Sequence, residues 1–346
     1  MKKNILYTAV ASLLFAFTAC ESGTNEFPDY DYQTVYFANQ YPVRTLELGE
    51  DEDVDLTTDN QKMISIKAAW GGGYTNRQNV IIDYVVDESL CDNLYFAESG
   101  VAAGKVEVMP SSYYQLKTDK IYMREGEIMG GIDVQLTDVF FADPKSVTRN
   151  YAIPIRLTNV IGADSILSGK PNVTNPSWTT TDDWSIQPQN FVVYVVKYVN
   201  PWHGQYLRRG VDKAVINGVE STIVRHQQYV EKDESVDIST SGLLVNELPI
   251  TVKDANGVAV KVNLHINFSD DGTCTLSSND NNVTVTGNGK FVKKGEKNSL
   301  GGKDRDALYI DYNIDLNDKN MSIATKDTLV LRTRNVKTEF YSVVKQ

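Results

Sequence analysis

The organisation of the chain is decided at residues 191–210, which read FVVYVVKYVNPWHGQYLRRG. In an extended strand, alternate residues from Phe191 lie on one face and alternate residues from Val192 lie on the other, and both faces are apolar here. This pattern predicts a strand that is buried on both sides, at the place where one domain meets the next. Asn200-Pro201 ends the strand, because proline cannot donate to a sheet and disfavours helix at the residue before it.

The composition favours two β-rich domains and argues against some partners. The chain has 346 residues, enough for two domains with cores of their own. Tyrosine is abundant, with 19 residues, and long runs of Ala, Leu, Glu and Lys are absent, so strands and turns are favoured over helices. The formal net charge is −11 and the chain has no cluster of Lys or Arg. We therefore expect no nucleic-acid partner and no electrostatic binding to anionic lipid.

The first residues predict a processing signal rather than a folded element. Two lysines precede the apolar run Ile5–Phe17, which is too short for a comfortable membrane span. The run ends in FTAC at residues 17–20, which resembles the bacterial lipobox although phenylalanine stands where leucine is usual. The resemblance implies a signal peptide over residues 1–19 and acylation of Cys20; the alternative is ordinary secretion. Residues 20–32 are polar and acidic and predict a flexible tether.

Residues 33–161 predict an antiparallel β-sandwich of immunoglobulin-like type. Short runs alternate apolar and polar residues, as at Met63–Ala69, and Val80–Val86 is strongly apolar. Seven or more such strands, separated by frequent turn residues, are typical of a sandwich. Residues 162–190 are irregular and contain several prolines, so we expect an interdomain loop there.

Residues 191–346 predict a second β domain, which makes the whole chain all-β. Turn signals separate its apolar runs at Asn217-Gly218, Asn256-Gly257 and Asp271-Gly272. Asn-Gly and Asp-Gly pairs between apolar runs are the strongest short signals for hairpins. Consecutive hairpins predict an up-and-down antiparallel meander that closes into an eight-stranded barrel of calycin or lipocalin type.

Groups that could carry out chemistry are sparse. Cys91 and Cys274 fall in different predicted domains; a disulfide is possible in an exported protein, but we expect two buried thiols. The three histidines show neither nucleophile–base spacing nor zinc spacing. The acidic loop at residues 51–55 lacks the pattern of a calcium-binding loop and predicts a solvated face. We therefore expect no catalytic residue, metal site or cofactor.

Three pieces of the sequence together suggest a family. They are the lipobox, the strand and loop at Ala69-Trp70-Gly71-Gly72, and the junction KYVNPWHGQYLRRG at residues 197–210. With them the chain resembles the two-domain surface lipoproteins of Bacteroidetes that pair two domains of unknown function and are associated with Sus-type polysaccharide importers. The resemblance implies anchoring in the outer membrane at the cell surface through Cys20, a glycan ligand and importer components as partners. It supplies no motif of binding residues.

Five aromatic residues are candidates for carbohydrate binding: Trp178, Trp184, Trp70, Tyr74 and Trp202. Sugars need flat apolar platforms with polar groups at the rim. Trp178 and Trp184 lie in a segment rich in Thr, Asn and Asp, although both could instead fill the domain interface. Trp70 and Tyr74 flank a glycine-rich loop, and the alternative for Trp70 is a place in the core. Trp202 belongs to the junction, where a structural role is favoured.

Three functions remain open on the sequence. The leading hypothesis is non-catalytic capture of a polysaccharide or glycoprotein glycan by a lipid-anchored surface protein. An adhesin or protein-interaction lipoprotein is the alternative, and it predicts a broad apolar patch or an exposed strand edge. A glycoside hydrolase or its accessory is the third, and it predicts a close pair of carboxylates in a cleft with a raised pKa.

Overall fold

The computed structural model describes residues 30–346, so the predicted signal peptide and Cys20 lie outside the described residues. The described chain is nearly all β, and its C-terminal part is a closed eight-stranded antiparallel barrel, which confirms the predicted fold class. No helix in this part of the chain is long and apolar enough to cross a membrane.

The strands are numbered here in chain order. Those up to the junction are β1 Thr34–Tyr36, β2 Pro42–Glu47, β3 Met63–Gly71, β4 Val80–Val86, β5 Leu94–Glu98, β6 Val101–Lys105, β7 Glu107–Val108, β8 Tyr114–Leu116, β9 Lys120–Met123, β10 Met129–Leu136, β11 Tyr151–Ile161, β12 Ser165–Ile166, β13 Lys170–Pro171, β14 Trp184–Ile186 and β15 Phe191–Val199. Those after it are β16 Gly204–Ile216, β17 Val219–Arg225, β18 Glu234–Gly242, β19 Val245–Lys253, β20 Ala259–Phe268, β21 Thr273–Ser277, β22 Val283–Glu296, β23 Arg305–Leu316, β24 Met321–Thr333, β25 Glu339–Phe340 and β26 Ser342–Lys345.

Helices are short throughout the described chain. The α-helices are Thr57–Asn60 and Asp138–Ala142. The 3-10 turns are Glu88–Cys91, Ser111–Tyr113, Pro144–Val147, Thr181–Asp183, Val230–Lys232, Leu300–Gly302 and Asn317–Lys319. None reaches the length at which a helix is stable without packing, so the sheets carry the fold.

The first domain is a sandwich of two sheets with a third layer on its outer side. One sheet has the strand order β12-β1-β3-β10-β8, and the other has the order β25-β2-β15-β11-β4-β9. Buried side chains such as Ile66, Ile82 and Ile153 fill the space between them. A small sheet of order β26-β5-β6 covers the other face of the second sheet. The sandwich is mixed rather than purely antiparallel, because β2 runs parallel to β15.

Strand β15 is buried on both faces, as its sequence predicts. It lies between β2 and β11 in the second sheet of the sandwich. One face packs into the main core and the other packs under the outer layer with Leu94 and Phe96. The predicted boundary had placed residues 191–199 in the second domain; in the structure this strand is central to the first. A doubly apolar strand indicates two covering layers, but it does not say which sheet the strand joins.

The barrel begins after Asn200-Pro201, and its strand order is β16-β18-β19-β20-β21-β22-β23-β24, closed by pairing of β24 with β16. Strand β17 stands outside this ring as the partner of β16 in a hairpin. The hairpin turn is Asn217-Gly218, where both residues have positive φ, at 51° and 79°. That geometry is the type I′ turn that matches strand twist, which is why Asn-Gly predicts the hairpin correctly.

The C-terminal segment leaves the barrel and returns to the first domain. Strand β25 pairs with β2, and β26 pairs with β5. Tyr341 is buried between them, and its hydroxyl donates to the carbonyl of Val193 over 2.7 Å. The sequence-based division had assigned this segment to the barrel, but here it fastens the sandwich after the barrel has closed.

Candidate functional site

The tryptophans predicted to bind sugar are mostly core residues. Trp70, Trp184 and Trp202 are only 5%, 7% and 6% exposed. Trp70 points from β3 into the sandwich core, and Trp202 stacks on Phe268 in the barrel core, with ring centroids 4.0 Å apart and planes 5° apart. Rings buried to this degree present no open face to a sugar, so these three positions stabilise the fold.

Trp178 is half-buried and completes an aromatic cluster on the first domain. Its ring lies 5.4 Å from that of Trp184 and 5.9 Å from that of Phe191. The Trp184 indole donates to the carbonyl of Ser177 over 2.8 Å. The guanidinium of Arg156 lies 5.8 Å from the centroid of the Trp178 ring, a cation–π contact. The irregular segment 162–190 is thereby packed onto the sandwich of the first domain, and its tryptophans do not fill the interface with the barrel that the sequence offered as the alternative.

Tyr74 is the predicted candidate with a largely open ring, at 67% exposed. Tyr30 and Tyr32 are also open, at 79% and 60%. The two segments meet, because the backbone N–H of Tyr30 donates to the carbonyl of Gly72 over 2.7 Å. We call Tyr30, Tyr32 and Tyr74 the tyrosine surface. Tyr30 and Tyr32 fall in the segment that the sequence predicts to be a tether, so they were not among the candidates. The signal that could have found them is Tyr-Asp-Tyr directly before a strand.

Gly72 makes this meeting of segments possible. Its φ is +108°, and a Cβ at this position would lie 2.4 Å from the carbonyl oxygen of Tyr32. Only glycine accommodates both the backbone conformation and the close approach. On the other side of Tyr32, the N–H of Gln33 donates to Asp164 Oδ2 over 2.6 Å. The glycine-rich loop between Trp70 and Tyr74 is therefore in close contact with residues 30–33.

Exposed polar side chains lie in the same loop as Tyr74. Thr75, Gln78 and Asn79 are exposed in the loop that joins β3 to β4. Asn76 is buried and holds that loop: its side-chain amide donates to the carbonyl of Arg124 over 2.9 Å, and its Oδ1 accepts from the N–H of Gly126 over 2.6 Å. A rigid loop keeps ring and rim in one arrangement, which lowers the entropy lost on binding.

The tyrosine surface lies at the end of the sandwich away from the barrel. The C-terminal end of strand β15 leads into the barrel, and β11 runs antiparallel to β15. The C-terminal end of β11 therefore points the opposite way. Gly162, just beyond β11, touches the loop of the tyrosine surface, because a Cβ on it would lie 2.2 Å from the carbonyl oxygen of Asn79.

A second region of interest is the interdomain cleft, where the mouth of the barrel meets the first domain. Its apolar part is a cavity of about 710 Å³, and an adjoining charged part measures about 460 Å³. The apolar part is lined by Leu48, Gly49, Glu50, Asn60, Pro201, Trp202, Leu243, Leu244, Asp270, Asp271, Gly272, Phe291, Lys293, Asp306 and Leu331. Of the predicted candidates, only Trp202 reaches this cavity.

Arg334 fastens the two walls of the cleft. Its Nη2 donates to the carbonyls of Leu48 and Asn200 over 3.0 and 2.8 Å, so it joins both domains. Its Nε lies 3.4 Å from Glu47 Oε1, an ion pair without a hydrogen bond. Burial lowers the pKa of Arg334 and raises the pKa of Glu47, because each charge loses water that the other replaces only in part.

Acidic residues in and next to the predicted acidic loop form ion pairs with the barrel. Glu50 pairs with Lys293 of the barrel over 2.5 Å. Glu52 lies 3.7 Å from Lys303 and 4.0 Å from Arg305. Residues 52–55 are exposed as predicted, and Glu52 is the one residue of the predicted loop that also pairs with the barrel. The sequence could not reveal these ion pairs, because the basic partners lie roughly 240 to 250 residues further along the chain.

The barrel interior holds a buried charge network. Arg208 donates to Asp327 over 2.7 Å and to the hydroxyl of Tyr312 over 3.0 Å. Arg225 bridges Asp327 and Asp212 with contacts of 2.6 to 2.8 Å. Arg208 also pairs with Glu234 over 3.1 Å, so the two arginines face three carboxylates, and Nη1 of Arg225 has no hydrogen-bond partner. We assign this network to holding the closure of β16 on β24, from which most of its members come.

Burial disfavours the charged forms of Cys91, Cys274 and His203. Cys91 and Cys274 are free and buried, as expected, and burial raises the pKa of each thiol to about 12. His203 accepts from the N–H of Thr240 over 3.3 Å, and burial lowers its pKa to about 4. Within residues 30–346, no group of three or more His, Cys, Asp or Glu side chains could hold a metal ion.

Two domain families match the chain. The family described as Domain of unknown function (DUF5627) matches residues 201–335, and a family described as an N-terminal domain matches residues 30–164. A crystal structure of a Bacteroides ovatus protein of unknown function is 58% identical, with a TM-score of 0.88 over 92% of this chain and 100% of that one. The chain belongs to this protein's family.

More distant similarities show no function. A B. ovatus multidomain protein that includes DUF1735 is 10% identical, with a TM-score of 0.39 over 87% of this chain and 94% of that one. A B. ovatus protein with a proposed carbohydrate-binding role is 13% identical, with a TM-score of 0.28 over 87% and 83%. At these scores neither similarity bears on what this family member binds. A comparison with curated proteins found no match.

Proposed function

We propose that this family member is a non-catalytic, lipid-anchored protein of the outer-membrane surface that captures a glycan for a Sus-type importer. The observation that carries the proposal is the tyrosine surface: three exposed aromatic rings at one end of the sandwich, with exposed polar side chains in the loop that carries Tyr74. The apolar face of a pyranose stacks on such rings, and its hydroxyls bond to the rim. A shallow surface of this kind gives modest affinity, on the order of micromolar to millimolar.

The proposed anchor places this surface near the membrane. Tyr30 is the tenth residue after Cys20, and ten residues of extended chain span at most about 35 Å. A protein acylated at Cys20 would hold the tyrosine surface within that distance of the bilayer, where an importer in the same membrane could receive the glycan. Labelling with a palmitate analogue tests this: we expect label on the wild type and none on Cys20→Ser.

The direct test is a titration of the purified protein against a panel of surface polysaccharides. We expect one glycan class to bind, and Tyr32→Ala or Tyr74→Ala to weaken it about three- to tenfold, the size of one aromatic contact. Tyr229→Ala is the matched control, because Tyr229 is 55% exposed but lies on the barrel. Absence of binding to every glycan by folded protein, or equal loss in all three variants, would reject the proposal.

A protein partner is the second candidate, and strand β17 favours it. Val219, Ile223 and Val224 are 68%, 52% and 58% exposed on this strand. Among the described strands β17 pairs only with β16, so its other edge has open hydrogen-bonding groups. Open edges of this kind can accept a strand from another chain. Co-purification from membranes of a partner that Val224→Lys abolishes, without change in glycan affinity, would support this function beside the first.

One pair of carboxylates bears on the hydrolase alternative. Glu47 and Asp59 are both buried and line a cleft of about 460 Å³, and burial raises the pKa of Glu47. Both are already engaged: Asp59 accepts from the N–H of Glu47 over 2.8 Å and pairs with Arg44, and Glu47 faces Arg334. We therefore favour a structural role. Product release from a labelled glycan, lost in Glu47→Gln, would overturn the non-catalytic proposal.

A further inference from the structure

We propose that the interdomain cleft is a second ligand site, which takes a small amphiphilic cation: an apolar body that carries one positively charged head group. The proposal does not depend on glycan binding, because the cleft and the tyrosine surface lie at opposite ends of the first domain. The apolar part of the cleft measures about 710 Å³. Small-molecule sites span roughly 300–1,000 Å³ and favour domain interfaces and barrel mouths.

The floor of the cavity is apolar and mostly aliphatic. Leu243 and Leu244 are consecutive residues at the turn between β18 and β19, and they are 37% and 38% exposed. Phe291 and Leu331 are half-buried beside them and line the same cavity. Covering such side chains with an apolar ligand gains roughly 25 cal/mol per Å² of surface removed from water. The floor therefore favours an apolar body.

A sugar fits this floor poorly. Trp202 lies at the base of the cavity, but it is 6% exposed and its ring is stacked on Phe268. The leucines of the floor offer no flat face for a pyranose to stack on, and the Phe291 ring beside them is half-buried. The contrast with the open rings of the tyrosine surface indicates that the two sites take different classes of ligand.

The charges around the cavity select a cation. Asp270, Asp271 and Asp306 line it, and none of them makes an ion pair within residues 30–346. Lys293 is the basic residue of this lining, and Glu50 neutralises it at 2.5 Å. The lining therefore carries four acidic side chains and one basic side chain, and this excess of negative charge beside an apolar floor favours a positive head group.

The site is formed before any ligand binds. The backbones of the two domains touch at its base, where a Cβ on Gly49 would lie 2.9 Å from the Cβ of Pro201. Arg334 holds the same two segments through the carbonyls of Leu48 and Asn200. Two of the carboxylates are also held, because Asp271 accepts from the N–H of Thr273 over 3.0 Å and Asp306 accepts from the N–H of Lys294 over 2.7 Å. Binding therefore requires little rearrangement.

The test compares three probes that share one alkyl chain. Octyltrimethylammonium, octyl glucoside and octyl sulfate are titrated calorimetrically into the full folded protein, each below its critical micelle concentration. We expect the cation to bind about tenfold more tightly than the neutral probe, a difference of about 1.4 kcal/mol. We expect the sulfate to bind most weakly. A neutral or anionic probe that binds as well as the cation overturns the proposed class.

Variants locate the binding. Asp270→Asn combined with Asp271→Asn should remove most of the preference for the cation and leave octyl glucoside unchanged. Leu244→Ser should weaken all three probes, and Leu243→Ser replaces it if that variant does not fold. Asp280→Asn is the matched control, since it removes one acidic turn residue of the same barrel outside the cleft. Tyr74→Ala should change no probe affinity, so failure of glycan binding and failure of this proposal remain separate.

Discussion

The tyrosine surface and the interdomain cleft differ in shape, chemistry and origin. The first is an open group of rings, built from a loop and the strand-leading residues 30–32 of one domain. The second is a cavity with a leucine floor and an acidic rim, built from segments of both domains. The first suits a flat polar ligand, and the second suits a small apolar ligand with a charge.

The difference teaches that residue type alone does not mark a binding site. Tryptophan is the strongest sugar-stacking residue in the sequence, yet three of the four tryptophans are core residues. Tyrosine is amphipathic and tolerates exposure, since its hydroxyl stays in water. In this chain exposure, which the fold decides, therefore separates the aromatics that we propose for binding from those that pack in the core.

The largest predicted change in stability is at Arg334, and it should affect the interdomain cleft but not the tyrosine surface. Arg334→Ala removes the bonds to the carbonyls of Leu48 and Asn200 and leaves Glu47 buried without its cation. Loss of one partner of a buried pair costs about 3–5 kcal/mol, which urea unfolding measures. Probe binding in the cleft should fall, while glycan binding at the far end should persist.

Arg332→Ala is the control for this experiment, because Arg332 is exposed two residues away. It should change the free energy of unfolding by less than about 0.5 kcal/mol. Equal effects of the two variants would contradict the view that Arg334 joins the domains.

A smaller change in stability is predicted at Gly72, and it should affect the tyrosine surface but not the interdomain cleft. Gly72→Ala forces a side chain into a φ of +108° and places its Cβ 2.4 Å from the Tyr32 carbonyl. We expect a loss of about 1–3 kcal/mol in unfolding free energy and a weaker glycan complex, since Tyr30 and Tyr32 would move away from the loop of Tyr74. Cleft probes should bind unchanged.

Gly100→Ala is the matched control for Gly72. Its φ is also positive, at +80°, but nothing lies within 4 Å of the added Cβ. It carries only the conformational cost, so it should lower stability by less than Gly72→Ala and should leave glycan affinity intact. A normal glycan affinity in Gly72→Ala would show that the contact between the two segments does not organise the tyrosine surface.

The smallest expected effect concerns pH and the Glu47–Arg334 junction. Burial holds the folded-state pKa of Glu47 above the ordinary value of 4.5, so the folded state binds more protons than the unfolded chain. The stability that Glu47 contributes is therefore complete below about pH 4.5 and is lost as the pH rises through the folded pKa. Glu47→Gln should remove this loss. Urea unfolding from pH 4 to 7 should show the wild type weakening relative to the variant, and parallel curves would contradict the assignment.

Local patterns predicted much of the fold. The Asn-Gly turn at residues 217–218 predicts its hairpin because two left-handed residues match strand twist. The apolar faces of residues 191–199 predict double burial for the same local reason. Neither pattern could show that this strand lies beside β2, since a parallel partner is set by contacts far apart in sequence. The pairing of the C-terminal strands with the sandwich could not be predicted for the same reason.

The candidate sites were predicted less well. Of the five aromatic candidates, Tyr74 lies on the tyrosine surface and Trp202 reaches only the base of the cleft. Tyr30 and Tyr32 were assigned to the tether because a short acidic segment carries no strand periodicity. Their place follows from the hydrogen bond of the Tyr30 N–H to Gly72 and from that of the adjacent Gln33 N–H to Asp164, and both bonds join residues far apart in the sequence.

By itself, the sequence determined the all-β class, the hairpin turns of the barrel and the doubly buried strand, because periodicity and turn chemistry act between neighbouring residues. The tertiary structure alone decided which aromatic rings are exposed and to which domain residues 191–199 and 339–345 belong. It also decided which basic residues of the barrel pair with the acidic segment of the first domain. These depend on long-range pairing, in which exposure and charge balance are set by residues that only folding brings together.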